Sequence, residues 1–523
     1  MSQRQFAKYY GVSRTTLQHW LSRKESLDAD PELIEFFESP VGIAFLHRMI
    51  LAAHFEFCKK GAASIHNVSN FLKKSGLDPF VGTSYSTQRN VANNMDKSII
   101  KFGEYEQNWL ASKMPEKWIT LCEDETFHPA ICMVAIEPIS NFIILEKYVE
   151  KRDAETWNRV VRQALGELAV KVIQVASDEA KGLISHTEKG LGAHHSPDVF
   201  HVQYEISKGT SGALSSAIKK TEKQVETAIK QTQKIIRTKE QYDNQPKRPR
   251  GRRPHFEEKI TEASKLERQA EAALDTARQN QEAVKQSNQG IGKNYHPYNP
   301  ETGEKQDKEK VSELLEYSFE KINSATIGLS DRCKKHIDKA HRVVDDMVAS
   351  VAFFFTMINL YMDNLGISKF ERQIMDDYLI PGFCLEQIAR REKDEIRKSV
   401  ISEKSKELLS ILSDPDDPLF GYSDEKKGVL EKAAKDCANI FQRSSSCVEG
   451  RNAQLSLRHH GIHRLSAQHL KAQTVVHNYT IKNRDGTTPA ERFFETKHND
   501  LFEWLLDQMD YPVRPRKCSA KAA

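Results

Sequence analysis

The sequence predicts a mostly α protein with an α/β core. An N-terminal helix-turn-helix region leads to a mixed sheet, and a large helical coiled-coil insertion interrupts that sheet. Three observations predict this. Helical spacing near the start is broken by Gly11-Val12-Ser13. The apolar period changes from helical to strand-like at Trp118. A 4-3 apolar repeat then begins at Leu214, and no strand-like run occurs from 205 to about 440.

A chain of 523 residues exceeds what one hydrophobic core serves, so two to four domains are expected. With 39% apolar and 29% charged residues the composition is that of a soluble protein. A net charge of +4 does not by itself point to nucleic acid, so local clusters must carry that argument. The eight cysteines include no Cys-x-x-Cys pair, which argues against a zinc ribbon and suits a reducing compartment. Cys122 and Cys132 read as core residues. The first residues lack a signal-peptide apolar stretch. The most apolar run, Met347 to Met362, is short for a bilayer and contains Asn359, so it reads as a buried helix.

At the N-terminus, Phe6, Ala7 and Tyr10 share one helix face. Ser13 can cap a second helix that runs through Trp20 and Leu21. That helix presents Arg14, Thr15, Gln18 and His19 outward, side chains able to reach base edges or phosphates in a major groove. A helical hairpin with a solvated polar face has the same spacing. Between 41 and 100, helices are expected at His47–Cys58, at Ile65–Lys74 and after Thr83, the last carrying Gln88, Arg89, Asn90 and Lys97. This is a candidate second helix-turn-helix, or else a spacer that packs the first module onto the core.

Strands are expected at Trp118–Cys122, Ala130–Ile136, Phe142–Leu145, Val172–Ala176 and Val199–Val202. Asp153 caps a helix between the third and fourth. The resulting order is β-β-β-α-β-α-β. Beyond it, Leu214, Ile218, Thr221, Val225, Ala228, Thr232 and Ile235 form a coiled-coil seam, and Ile260 to Val284 a returning arm. The hairpin tip, 247–254, holds five basic residues in eight: Lys247, Arg248, Arg250, Arg252 and Arg253. It reads as a phosphate-binding tip or as a solvated loop.

Asp124 and Asp178 each close a strand, and Glu449 opens a helix. Converging carboxylates repel unless a cation lies between them, and hard oxygen ligands suit Mg²⁺ or Mn²⁺. Spacing alone leaves bland readings open. Both aspartates are also turn residues, and Ser446-x-x-Glu449 fits a capping box. Glu123 and Glu125 should point to the strand face opposite Asp124. No Gly-rich phosphate loop and no Gly-x-Ser-x-Gly elbow occurs. His194-His195 and His459-His460 lack partners at zinc spacing and read as loop residues.

The segment SSSCVEGRNAQLSLRHHGIHRL, followed by RDGTTPAERFF, resembles the C-terminal end of DDE-type transposases of bacterial insertion sequences. DVFHV at Asp198–Val202 resembles their fifth strand, with Val199 where an arginine is usual. The resemblance covers 118–205 and 440–495. It implies a ribonuclease H-like core, whose element order is the one read above and in which the first and fourth strands are neighbours. It also implies two Mg²⁺ or Mn²⁺ ions on Asp124, Asp178 and Glu449, with strand cleavage and strand transfer on double-stranded DNA. Asn452, Arg458 and Arg464 become candidate DNA or ligand-orienting residues, and Asp198 and His201 fold-supporting ones.

The plan is then a helix-turn-helix module at 1–30, a helical region at 31–112, the first part of the core at 113–205, the helical insertion at 206–440, the final part of the core with the glutamate helix at 441–500, and a basic tail at 501–523. Transposon ends and target DNA are the implied partners, a homodimer the implied synaptic state, and the bacterial cytoplasm at the nucleoid the implied location. A DNA-binding descendant without chemistry and a ribonuclease H-like nuclease without strand transfer are the alternatives.

Overall fold

The computed structural model describes residues 2–515, except 10, 16, 19–20, 22–28, 128, 247–250, 253, 413–418, 420 and 463–464. The chain is mostly helical, with one small mixed sheet. Its strands are β1 (Lys117–Phe127), β2 (Ile131–Glu137), β3 (Phe142–Val149), β4 (Val170–Ser177) and β5 (His194–Pro197), in the order β3-β2-β1-β4-β5. The chain divides into two compact units, and the division falls within β4. One comprises Met1–Val172 with Ser446–Ala523, the other Ile173–Ser445.

In the first unit, helix Gln3–Tyr9 ends at Gly11, whose φ of 65° is a left-handed turn that glycine adopts without strain. A second helical turn opens at Ser13, whose carbonyl accepts from Leu17 N at 3.0 Å. Ala7 and Leu17 face inward, while Arg14, Thr15 and Gln18 are exposed. His19 lies outside the described residues.

Helices Pro31–Phe37, Pro40–Ala53 and Ile65–Lys74 then bury Leu46, Ile50, Val68, Leu72 and Phe80 in one cluster. Gly42 is required there, because a Cβ would fall 1.9 Å from the Phe36 carbonyl oxygen. The long helix Tyr85–Ala111 starts at Ser84, whose Oγ accepts from Thr87 N. Gln88 does not join its outward polar face. It is buried, bonded to His54 and donating to the Gly82 carbonyl, and so fixes the start of the helix. Arg89, Asn90 and Lys97 are exposed as expected.

β1, β2 and β3 form an antiparallel meander, with Asp124 opposite Val134 and Met133 opposite Lys147. β1 is longer than its apolar run, so Glu123-Asp124-Glu125 lies inside the strand and not at its end. Cys122 and Cys132 are core residues. Helix Ala154–Leu165 is capped by Asp153 and buries Trp157, Val160 and Val161.

In the second unit, the end of β4 pairs in parallel with β5, Gln174 opposite His194 and Ser177 opposite Pro197. This corrects the expected fifth strand. Val199–Val202 is the start of a helix, because Asp198 caps it by accepting from Phe200 N at 2.8 Å. His194 and His195 are accordingly strand residues, not loop residues, and His459 and His460 of the first unit are helical.

Helices Val199–Asp243 and Phe256–Asn294 form the antiparallel hairpin, with arms about 68 and 58 Å long at the usual rise per residue. The seam residues from Leu214 to Ile235 are its covered positions. Of the tip, Lys247, Arg248, Arg250 and Arg253 lie outside the described residues, and Arg252 is exposed. Phe319, Met347, Phe354, Ile358 and Leu430 fill the core of the remaining helices. By length and composition, Pro40–Lys60 and Asp331–Asn364 are apolar enough to cross a membrane, and each has about half of its apolar window buried.

Candidate active site

The first unit contributes two of the three proposed carboxylates. Asp124 sits on β1 with its side chain on the face covered by helix Ser446–Ile462. Asn452 of that helix donates from Nδ2 to Asp124 Oδ2 at 2.8 Å. Glu449 lies one turn earlier on the same face, and both carboxylates are half-buried. Glu125 points the other way. It accepts from Trp157 Nε1 at 3.1 Å and meets Arg152 at 3.4 Å. Strand alternation thus separates Asp124 from its acidic neighbours, as expected.

The glutamate helix is pinned to the sheet by a buried ion pair. Arg451 Nε and Nη2 reach Glu146 of β3 at 2.6 and 2.7 Å, and Thr474 Oγ1 donates to the same carboxylate at 2.7 Å. Val448 and Leu455, on either side, are fully buried. Glu146 was not singled out in the sequence; an acidic residue in an apolar strand was the available signal.

Asn452 Oδ1 is buried and accepts no hydrogen bond among the described residues. A buried amide oxygen without a donor, next to carboxylates, is the type of group that a hard cation satisfies. The donor set therefore fits Mg²⁺ or Mn²⁺. Arg458 donates to the carbonyls of Lys60 and Gly61 at 2.7 and 3.0 Å, closing the turn after residue 60. Two of its guanidinium nitrogens thus serve the backbone and not a phosphate. Arg464 lies outside the described residues.

The second unit holds Asp178, directly after β4. Its Oδ1 accepts from Ala180 N at 3.0 Å. Ser177 Oγ bonds His195 Nε2 at 3.0 Å and donates to the Asp178 carbonyl at 3.2 Å, so the residue before the carboxylate is held from both sides. Burial lowers the pKa of His195 and keeps its ring neutral. Burial, reinforced by the charge of Asp178, raises that of Glu179. Asp198 is fully buried, and its Oδ2 accepts from Ser445 N and Oγ. It supports the fold, as the sequence suggested. His201 is half-buried on the following helix.

The N-terminal region has the turn, the buried Ala7 and Leu17 and the exposed Arg14 and Gln18 of a DNA-binding module. Residues 1–28 match a helix-turn-helix, Psq domain. DNA is the partner that this domain implies. Residues 375–521, which include the Glu449 helix and the Thr488 capping box, match a family of unknown function, DUF6399. Neither the curated proteins nor the solved structures contain a match to the chain.

Proposed function

We propose that the protein is a DDE-type transposase. Its helix-turn-helix binds transposon ends, and its carboxylates carry metal-dependent strand cleavage and strand transfer. The observation that carries the reading is the bond from Asn452 to Asp124. It brings the Glu-Gly-Arg-Asn helix and its glutamate to the strand that bears the first aspartate. The strand order supports the same reading, since a ribonuclease H-like sheet has its first and fourth strands adjacent. A helix-turn-helix of this kind is also found in transposases.

Asp124, Asp178 and Glu449 would hold the ions, with Asp178 assigned to the triad by resemblance. Divalent cations supply activation of an attacking oxygen and charge stabilisation of the leaving 3′ oxygen. The chain's own part is to hold oxygens in place. Asn452 fixes the Asp124 carboxylate, and the Arg451–Glu146 pair fixes the helix that carries Glu449. Arg14, Thr15 and Gln18 hold the duplex.

The experiment is a strand-cleavage assay on duplexes taken from the DNA that flanks the gene, with Mg²⁺ or with a chelator. Nicks at the element ends that require Mg²⁺, followed by joining to a second duplex, are expected. Binding without any cleavage would leave only a DNA-binding protein.

A further inference from the structure

The first unit has a second basic face, apart from the helix-turn-helix at 1–28. A cleft of about 880 Å³ runs along helix Tyr85–Ala111, with the segment 508–515 as its opposite wall. On the helix side, Ser86, Asn90, Asn94, Lys97 and Lys101 follow one another at three- and four-residue steps. They line about 22 Å of helix at the usual rise. The opposite face buries Ala92, Met95, Ile99 and Phe102, so the polar row is held outward by the core.

The far wall is fixed too. Gly82 N donates to the Val513 carbonyl at 2.8 Å, Tyr511 lies against the His47 ring at 4.8 Å, and Arg514 pairs with Glu38. Asp510 is the acidic group on that wall. Among the described residues, no carboxylate pairs with Arg89, Lys97 or Lys101, and all three are exposed.

We infer that this cleft is a second contact for duplex DNA, a reading that rests on the proposal that the protein binds DNA at all. An exposed helix face suits a major groove about 12 Å wide, and asparagine amides pair with adenine edges there. Asn90 and Asn94, both lining the cleft, face the bases near the start of the helix. Lys97 and Lys101, two and three turns on, take phosphates. Unpaired cations on a rigid face gain most from counterion release, because no internal ion pair must be broken first.

The test uses the full chain and a fluorescent mixed-sequence duplex about three helical turns long. Anisotropy is followed between about 50 and 200 mM salt. Lys97→Ala with Lys101→Ala should weaken binding on the order of 10-fold and lower the salt slope by about 1.8, at about 0.9 per phosphate contact. Lys97→Arg with Lys101→Arg should retain both, and thermal melts should match the parent. Parental affinity and slope in the double alanine variant, with Arg14→Ala still weakening binding, would overturn the cleft and leave the helix-turn-helix reading intact. A parent that binds no duplex would overturn both. With a labelled single-stranded RNA titrated in parallel, a loss by the double alanine variant confined to that RNA would overturn the duplex assignment.

Discussion

Asn452 Nδ2 donates to Asp124 Oδ2 at 2.8 Å, across 328 residues of sequence. This bond joins the helix of the last proposed carboxylate to the strand of the first. Asn452→Ala is expected to lower Mg²⁺-dependent cleavage and to raise the Mg²⁺ concentration that it requires. The melt should change by only about 1 kcal/mol, the usual net worth of one hydrogen bond. Asn452→Asp should destabilise the apoprotein by placing like charges together, and Mg²⁺ should restore it. An Asn452→Ala variant with an unchanged Mg²⁺ requirement would show that the bond is structural only.

The Arg451–Glu146 pair is buried at both ends, with side-chain exposures of 4% and 0%. Arg451→Ala leaves a buried carboxylate without its cation and should cost about 3–5 kcal/mol. Replacing both partners, Arg451→Met with Glu146→Leu, should recover most of that. Thermal or denaturant melts of the single and double variants measure it. Equal losses in both would contradict the assignment.

Acid should destabilise the protein between about pH 6.5 and 4. Burial lowers the pKa of His54, His194 and His477 to about 4, from an ordinary value of about 6.5. As pH falls, the unfolded chain takes up these protons first. The stabilising contribution is complete above about pH 6.5 and declines towards pH 4, by about 1.4 kcal/mol per pH unit for each ring. His477→Gln should flatten the decline measured by melting at stepped pH. An unaltered acid profile in that variant would count against the argument.

Arg14 and Gln18 are exposed on the second helix of the N-terminal module, beside a buried Leu17. Alanine at both positions should weaken duplex binding in an anisotropy titration while leaving the melt within about 0.5 kcal/mol, as for other surface changes. A lower melting point with unchanged binding would place them in the fold instead.

Much of the sheet was legible because its strands are apolar. β1 to β4 coincide with the runs at Trp118, Ala130, Phe142 and Val172, although β1 continues through its acidic triplet. β5 was not legible, because His194-His195-Ser196-Pro197 is polar. Its polar groups are buried on partners that hydropathy does not show. His195 bonds Ser177, Ser196 accepts from Gln174 at 2.5 Å, and His194 bonds Ser350. The neighbouring apolar Val199–Val202 drew the assignment instead, although Asp198 before it is a helix-capping residue. The coiled-coil hairpin was readable from Leu214 onward, since a 4-3 repeat depends on local spacing alone, but the first turns of its first helix were not. On the site side, the placing of Asp124 away from Glu125 followed from strand alternation. The use of Gln88 and Arg458 as internal ties depended on partners remote in sequence, the His54 ring and the Lys60 and Gly61 carbonyls.

If Glu449 is a metal ligand for cleavage, Glu449→Gln should abolish the reaction. The substitution keeps the size and helix propensity of the side chain while removing its charge. Duplex binding equal to the parent, with no Mg²⁺- or Mn²⁺-dependent strand cleavage, is expected. Undiminished cleavage by that variant would contradict a ligand role for Glu449.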